Sequence, residues 1–296
     1  MSDTLLVTGA SGQFGRLVIK HLLETQGVAP GSIIAASRDT SKLADIAAKG
    51  VKTVAADFDD AASLEKAFAG VNRLLIVSTD SLDGTDRRLR QHSAAVAAAK
   101  AAGVGHIIYT SMPLPDESLV TFAPDHLGTE KAIKASGLGY TILRNSWYME
   151  NLFASIPNAL KSGQWFTAAG QGKTAYVTRE DLARTAAAVL ASSDTSSNTY
   201  TLTGVEALSN DEIAALASQI IGKPIQVVHV PDEGLLQGMI AAGVPEFVAP
   251  TYLSFDTNTR AGKLATVTGD IEKLTGKAPI TLKAFFEATK DAFLAA

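Results

Sequence analysis

Three glycines carry the first chemical signal. Gly9, Gly12 and Gly15 are spaced G-x-x-G-x-x-G, in the run Gly9, Ala10, Ser11, Gly12, Gln13, Phe14 and Gly15. A short apolar run precedes them and a helical pattern follows. The first glycine permits a tight turn, the second lets backbone approach a pyrophosphate, and the third allows a helix to pack closely on a strand. A helix starting there directs its amide N–H groups and the positive end of its dipole at the phosphates. The spacing thus predicts dinucleotide binding.

The apolar run at 32–37 ends in Ser37 and Arg38. An NAD site usually places an acidic residue near this point, to bond the ribose 2′-hydroxyl. Arg38 can meet a 2′-phosphate with its planar fork, and Lys42 can add charge. NADPH is therefore expected as the cofactor, favoured over NADH. Asp39 either bonds the ribose or caps a helix over 40–49, and the cap is preferred. Asp57 and Phe58 follow the third apolar run. They suit adenine, with Asp57 on the amino group and Phe58 against the ring, and Asp57 can also cap a helix. Ser78 and Thr79 end the fourth run, at the crevice edge.

Other chemistries are set aside. The chain has no cysteine, which excludes disulfides, thiolate catalysis and cysteine-based metal sites. Histidines at 21, 92, 106, 126 and 229 lack metal-ligand spacing, so no metal is expected. The stretch 170–174 resembles a P-loop, but Thr167 stands where its first glycine would be. It reads as a surface turn.

The elements that must position these residues are legible as a rhythm. Apolar runs at 5–8, 32–37, 51–56, 74–77, 106–110 and 140–144 have the length of buried strands, and helical patterns such as 14–25 and 89–102 separate them. This alternation predicts an α/β, doubly wound, parallel-sheet Rossmann fold. After about 144 the rhythm loosens. Strand-like pieces lie at 163–167, 174–177, 199–203 and 225–230. Thr178 can cap a helix over 179–191, and a capping box opens one at Ser209. The expected organisation is a dinucleotide-binding domain over 1–155, with returning segments around 174–203. A smaller, mostly helical substrate cap would comprise 156–173 and 204–296.

The chain has 296 residues, 46% hydrophobic and 19% charged, with a net charge of −4. Basic residues form no stripe, so nucleic acid is not an expected partner. No signal peptide or apolar run of spanning length is seen, so a cytoplasmic location and no membrane association are expected.

The glycine run, with the stretches at 99–104, 109–111, 129–131 and 143–151, resembles the NmrA-like atypical short-chain dehydrogenases. Within that group the likeness is to type 2 NAD(P)H:quinone oxidoreductases and triphenylmethane reductases. It covers nearly the whole chain and is weaker in the C-terminal part. It implies an NADPH-dependent reductase of quinones or similar planar, electron-poor acceptors, dyes included, with a small-molecule acceptor and a homodimer as partners. Lys131 matches the lysine of the Tyr-x-x-x-Lys pair, but Leu127 stands at the tyrosine position. The resemblance gives Lys131 to the nicotinamide ribose. It places Asn145 and Trp147 by the nicotinamide and acceptor, with Tyr148 in the same pocket; Trp147 and Tyr148 can equally be inter-domain packing. The alternative is a non-catalytic NADP(H)-binding redox sensor.

Overall fold

The computed structural model describes residues 3–81 and 85–296. The chain divides into two compact units. The first comprises Met1–Met112, Asp125–Arg144 and Glu180–Tyr200, and the second Pro113–Pro124, Asn145–Arg179 and Thr201–Ala296.

The strands are β1 (Leu5–Val7), β2 (Ile33–Ser37), β3 (Lys52–Ala55), β4 (Arg73–Ile76), β5 (His106–Ser111), β6 (Gly139–Asn145), β7 (Gln164–Thr167), β8 (Lys173–Thr174), β9 (Asn198–Leu202), β10 (Leu208–Ser209) and β11 (Gln226–His229). The first helices are α1 (Gln13–Glu24), α2 (Ala44–Ala47), α3 (Ala61–Phe68), α4 (Arg87–Ala101), α5 (Ala123–Ser136), α6 (Ile156–Ser162) and α7 (Arg179–Ala191). The remainder are α8 (Asn210–Ile221), α9 (Asp232–Ala241), α10 (Ala249–Arg260), α11 (Asp270–Thr275) and α12 (Leu282–Ala295).

A sheet in the order β3-β2-β1-β4-β5-β6-β9 forms the first unit's frame. Pairings among its first six strands are all parallel. This is the doubly wound order, whose reversal between β1 and β4 opens a crevice at the strands' carboxyl ends. Strands such as β4 and β5 are buried at every position, as a sheet covered by helices requires. Phe68, Leu74, Ile107 and Tyr109 lie in the core between sheet and helices. Each large side chain fully buried there contributes about 1.5–3 kcal/mol. Helix α7 returns to this unit and is tied to β4. The buried Arg73 guanidinium donates to the carbonyls of Val189, Leu190 and Asp194 at 2.9–3.1 Å, satisfying groups at the end of α7.

The second unit is mostly helical, with two small sheets, β10-β8 and β11-β7. Its core gathers Leu152, Ile213, Phe286 and Phe293, with Phe153 stacked on Phe293 at 3.9 Å. The expected capping box is present: the Ser209 hydroxyl accepts from Glu212 N–H, and the Glu212 carboxylate accepts from Ser209 N–H.

The unit borders differ from the expected 155 and 174–203. The chain first leaves the sheet unit at Pro113, returns over Asp125–Arg144, and returns again over Glu180–Tyr200. The cause is local packing that no periodicity reveals. Leu119 N–H and the Ser118 hydroxyl both donate to Asn258 Oδ1, and the Phe122 ring meets Phe255 edge-on. The expected helix over 40–49 is a 3-10 turn, Thr40–Leu43, followed by the short α2. The strand expected at 174–177 is only Lys173–Thr174.

Candidate functional site

A cavity of about 250 Å³ opens at the crevice of the first unit. Gly9, Ser11 and Gly12 line it from the turn between β1 and α1. Ser37 and Arg38 line it from the end of β2, Asp57 and Phe58 from beyond β3, and Ser78 and Thr79 from beyond β4. Four loops separated in sequence thus converge, because parallel strands all deliver their carboxyl ends to one edge of the sheet.

Gly9 and Gly15 have the turn and the close packing that their spacing predicts. Gly9 adopts φ +61°, a left-handed conformation that side chains disfavour. Gly15 packs directly on the turn, where an added Cβ would lie 2.4 Å from the Gly9 carbonyl oxygen. Gly12 is the N-cap of α1 and has no side chain with which to cap it. Ala10 and Phe14 are buried beneath the turn, and Gln13 is exposed at the first position of α1. Arg16 steadies the turn from α1. Its Nε donates to the Ser11 carbonyl at 3.2 Å, and its other nitrogens reach Asp45 and the Lys42 carbonyl.

Arg38 is exposed, lines the cavity, and makes no hydrogen bond or ion pair among the described residues. Its guanidinium is thus open to an anion. Asp39 is committed elsewhere. Its carboxylate accepts from the Ser41 N–H at 3.0 Å and hydroxyl at 2.6 Å, bonds that hold its pKa below the usual carboxylate range. This is the capping role preferred from sequence, though for a 3-10 turn. Lys42 is exposed and does not line the cavity. Asp57 does not cap α3; Asp60 does, accepting from Ala62 N–H at 3.0 Å. The Asp57 carboxylate accepts from Asp59 N–H at 3.0 Å, and Phe58 packs against the core beside it.

Sequence reasoning missed the residues that hold these walls, chiefly Arg88, Gln91 and His92 of α4. Gln91 lines the cavity itself. One signal was present: polar residues crowd the first turns of a helix that is otherwise rich in alanine.

The remaining predicted residues are not among those lining this cavity. Lys131 is exposed on α5, without an ion pair or hydrogen bond among the described residues. The buried side of that helix carries His126, Thr129 and Glu130. Glu130 fixes α5 to the sheet, accepting from the Ser111 hydroxyl at 2.7 Å and from Arg144 at 2.8 and 2.9 Å. His126 is no ready proton source. It is 4% exposed, and burial, then the Arg88 charge, press its pKa far below the usual imidazole value.

Asn145, Trp147 and Tyr148 belong to the second unit. Asn145 is 5% exposed, yet neither Nδ2 nor Oδ1 has a hydrogen-bond partner. Leaving both ends of a buried amide unpaired costs free energy, and such groups recur where a ligand completes the bonding. Trp147 meets Phe255 edge-on at 5.5 Å. The Arg179 guanidinium lies over the Tyr148 ring, 4.9 Å from its centre.

Among the described residues, no group of three or more His, Cys, Asp and Glu could hold a metal ion. No described helix is long and apolar enough to cross a membrane.

Comparison with known proteins agrees with this geometry. The NmrA-like family model matches residues 1–287. Quinone oxidoreductase 2 of Escherichia coli is 36% identical over 278 residues, which is 94% of this chain and 96% of that protein. The crystal structure of the NADPH-dependent quinone oxidoreductase from Escherichia coli, complexed with NADPH, superposes with a TM-score of 0.90 at 35% identity, covering 97% of this chain and 99% of that one. The triphenylmethane reductase of Citrobacter sp., complexed with NADP(H), gives a TM-score of 0.88 at 36% identity, covering 96% and 99%.

Proposed function

The chain belongs to the NmrA-like family, and on that footing we propose that it is an NADPH-dependent oxidoreductase that reduces quinones or similar planar, electron-poor acceptors, dyes among them. The observation that carries this reading is the unengaged Arg38 guanidinium on the wall of the same cavity as the glycine turn.

The residues present fit the cofactor. A Cβ at Gly15 would collide with the turn that must cradle a pyrophosphate, so the cradle exists only with glycine there. The first turn of α1 would bind the pyrophosphate through backbone amides and the helix dipole. Arg38 would bind the 2′-phosphate. Asp57 and Phe58 would meet adenine, and Ser78 and Thr79 would border the path of the dinucleotide. When bound, NADPH supplies a hydride.

Little proton transfer is asked of the protein, because a quinone that gains hydride becomes an aromatic product. The chain's main work is to orient the reactants and exclude water. Asn145 offers one donor and one acceptor, unspent within the protein, to orient an amide or carbonyl. Trp147 would supply an apolar wall for a planar acceptor. Leu127 and the neutral, enclosed His126 leave no general acid of the short-chain dehydrogenase kind on α5. A cytoplasmic location is part of the proposal, supported by a cysteine-free composition suited to a reducing compartment.

The test is to follow NADPH absorbance with a panel of quinones and cationic triphenylmethane dyes. Turnover with at least one is expected. Tight NADPH binding with no turnover against any would replace the reductase by a redox sensor.

A further inference from the structure

Beyond β4 the chain runs out of strand neighbours, yet three successive amides are each held by a side chain from a different element. Val77 N–H donates to Thr8 Oγ1 at 2.9 Å, Ser78 N–H to Thr110 Oγ1 at 2.9 Å, and Thr79 N–H to His92 Nε2 at 3.0 Å. The Thr79 carbonyl accepts from Arg88. One residue of the cavity wall is thus gripped on both sides by α4, from positions one turn apart.

The hydrogen bonds fix both imidazoles as neutral. His92 Nε2 accepts, so Nδ1 carries the hydrogen and donates to Thr129 Oγ1 at 2.9 Å; that hydroxyl donates to the Asp125 carbonyl at 2.7 Å. Arg88 donates to His126 Nε2 at 2.9 Å, and His126 Nδ1–H donates to the Tyr109 oxygen at 2.8 Å. A second proton on either ring would set N–H against N–H. Burial and the Arg88 charge oppose it as well, lowering the His92 pKa to about 3.

Gln91 projects from the same turn of α4 and is 5% exposed. Its Oε1 accepts from the Ser81 hydroxyl at 3.1 Å, and its Nε2 donates to Asp59 Oδ2 at 2.9 Å. Arg87 fixes the same carboxylate oxygen at 2.6 Å. Asp57 and Phe58, adjoining Asp59, line one part of the cavity, and Ser78 to Ser81 line another. A single side-chain amide therefore ties the loop after β3 to the loop after β4.

We propose that Gln91 is a positioning residue for the dinucleotide, whose amide sets the spacing of these two walls and so the affinity for NADPH, without a part in hydride transfer. This rests on the reading of the cavity as an NADPH site.

Gln91→Met keeps the length of the side chain and removes both bonds. Calorimetric titration with NADPH should show about a tenfold weaker Kd, the cost of ordering on binding two loops that the amide no longer ties. The KM for NADPH should rise in step, while kcat at saturating NADPH and the KM for the acceptor stay within about twofold. Gln91→Glu alone sets two carboxylates together and should weaken binding further. A purely structural role would lower thermal stability without separating the KM for NADPH from kcat. Equal NADPH affinity for Gln91→Met and wild type overturns the inference alone. So does a fall in kcat as large as the rise in KM. A wild-type protein that binds no NADPH removes the premise and the inference together.

Discussion

Gly15 rests against Gly9: a methyl group on Gly15 would stand 2.4 Å from the Gly9 carbonyl oxygen and 2.8 Å from the Ala10 Cα. Backbone cannot swing aside as a side chain can. Gly15→Ala should therefore cost about 1–3 kcal/mol of stability, and should weaken NADPH binding more than tenfold by displacing the turn. Thermal unfolding and calorimetric titration check both parts; an unshifted midpoint with unchanged affinity would contradict the packing argument.

Arg38 lines the cavity without a protein partner, and the 2′-phosphate is what separates NADPH from NADH. A charge-assisted bond is worth about 1.5–3 kcal/mol. Arg38→Ala should thus raise the KM for NADPH by roughly ten- to a hundredfold and leave that for NADH nearly unchanged. Parallel kinetics with the two cofactors test this. Preserved discrimination would move the 2′-phosphate to another residue.

Asn145 and Lys131 make opposite predictions. Asn145 is buried with both amide ends unpaired, so Asn145→Leu removes an unfavourable burial. The unliganded protein should unfold at the same temperature or higher, while kcat falls at least about tenfold. Lys131 is exposed and lies outside the cavity lining. Lys131→Ala should leave turnover within about threefold. A larger loss would support the ribose-binding role that the family resemblance gives it.

Four buried histidines make stability depend on pH. Burial lowers the pKa of His92 to about 3 and of His106 to about 4, and moves His21 and His126 in the same direction. The unfolded chain takes up these protons near pH 6.5, and the folded chain resists them. Stability is therefore full above pH 6.5 and is lost as pH falls toward 4 and then 3. Each group costs about 1.4 kcal/mol per pH unit in that window. Urea unfolding should show a loss of at least about 2.5 kcal/mol between roughly pH 7 and 5.5, of which about 1.2 kcal/mol is absent in His106→Gln. A flat profile over that range would show that the imidazoles are not held neutral.

The sheet was legible because its strands announce themselves by local composition, and the glycine turn because its spacing is a steric requirement. Arg38, Asp57, Phe58, Ser78 and Thr79 were found by one rule, that parallel strands deliver their ends to a shared edge. The supports of that edge were not legible. Gln91 meets Asp59 and Ser81 only after helices and strands assemble, and nothing in the spacing of 59, 81 and 91 marks the pairing. The borders of the two compact units were not legible either: Asn258 captures Ser118 and Leu119 across 140 and 139 positions of sequence. Asp57 was offered a capping role that Asp60 fills. Both are aspartates ahead of the same helix, and only backbone geometry separates them.

Gly12 opens α1 with no side chain of its own to close it. A helix begun this way is closed from outside, and on the proposed reading the coenzyme's diphosphate would close it. NADPH thereby enters the folding equilibrium as well as the reaction. At a hundredfold excess over Kd it would add about 2.7 kcal/mol to the native state. Oxidised and reduced coenzyme carry the same diphosphate, so either would shield the chain from proteases, and loss of the whole coenzyme pool, not its oxidation, would expose it.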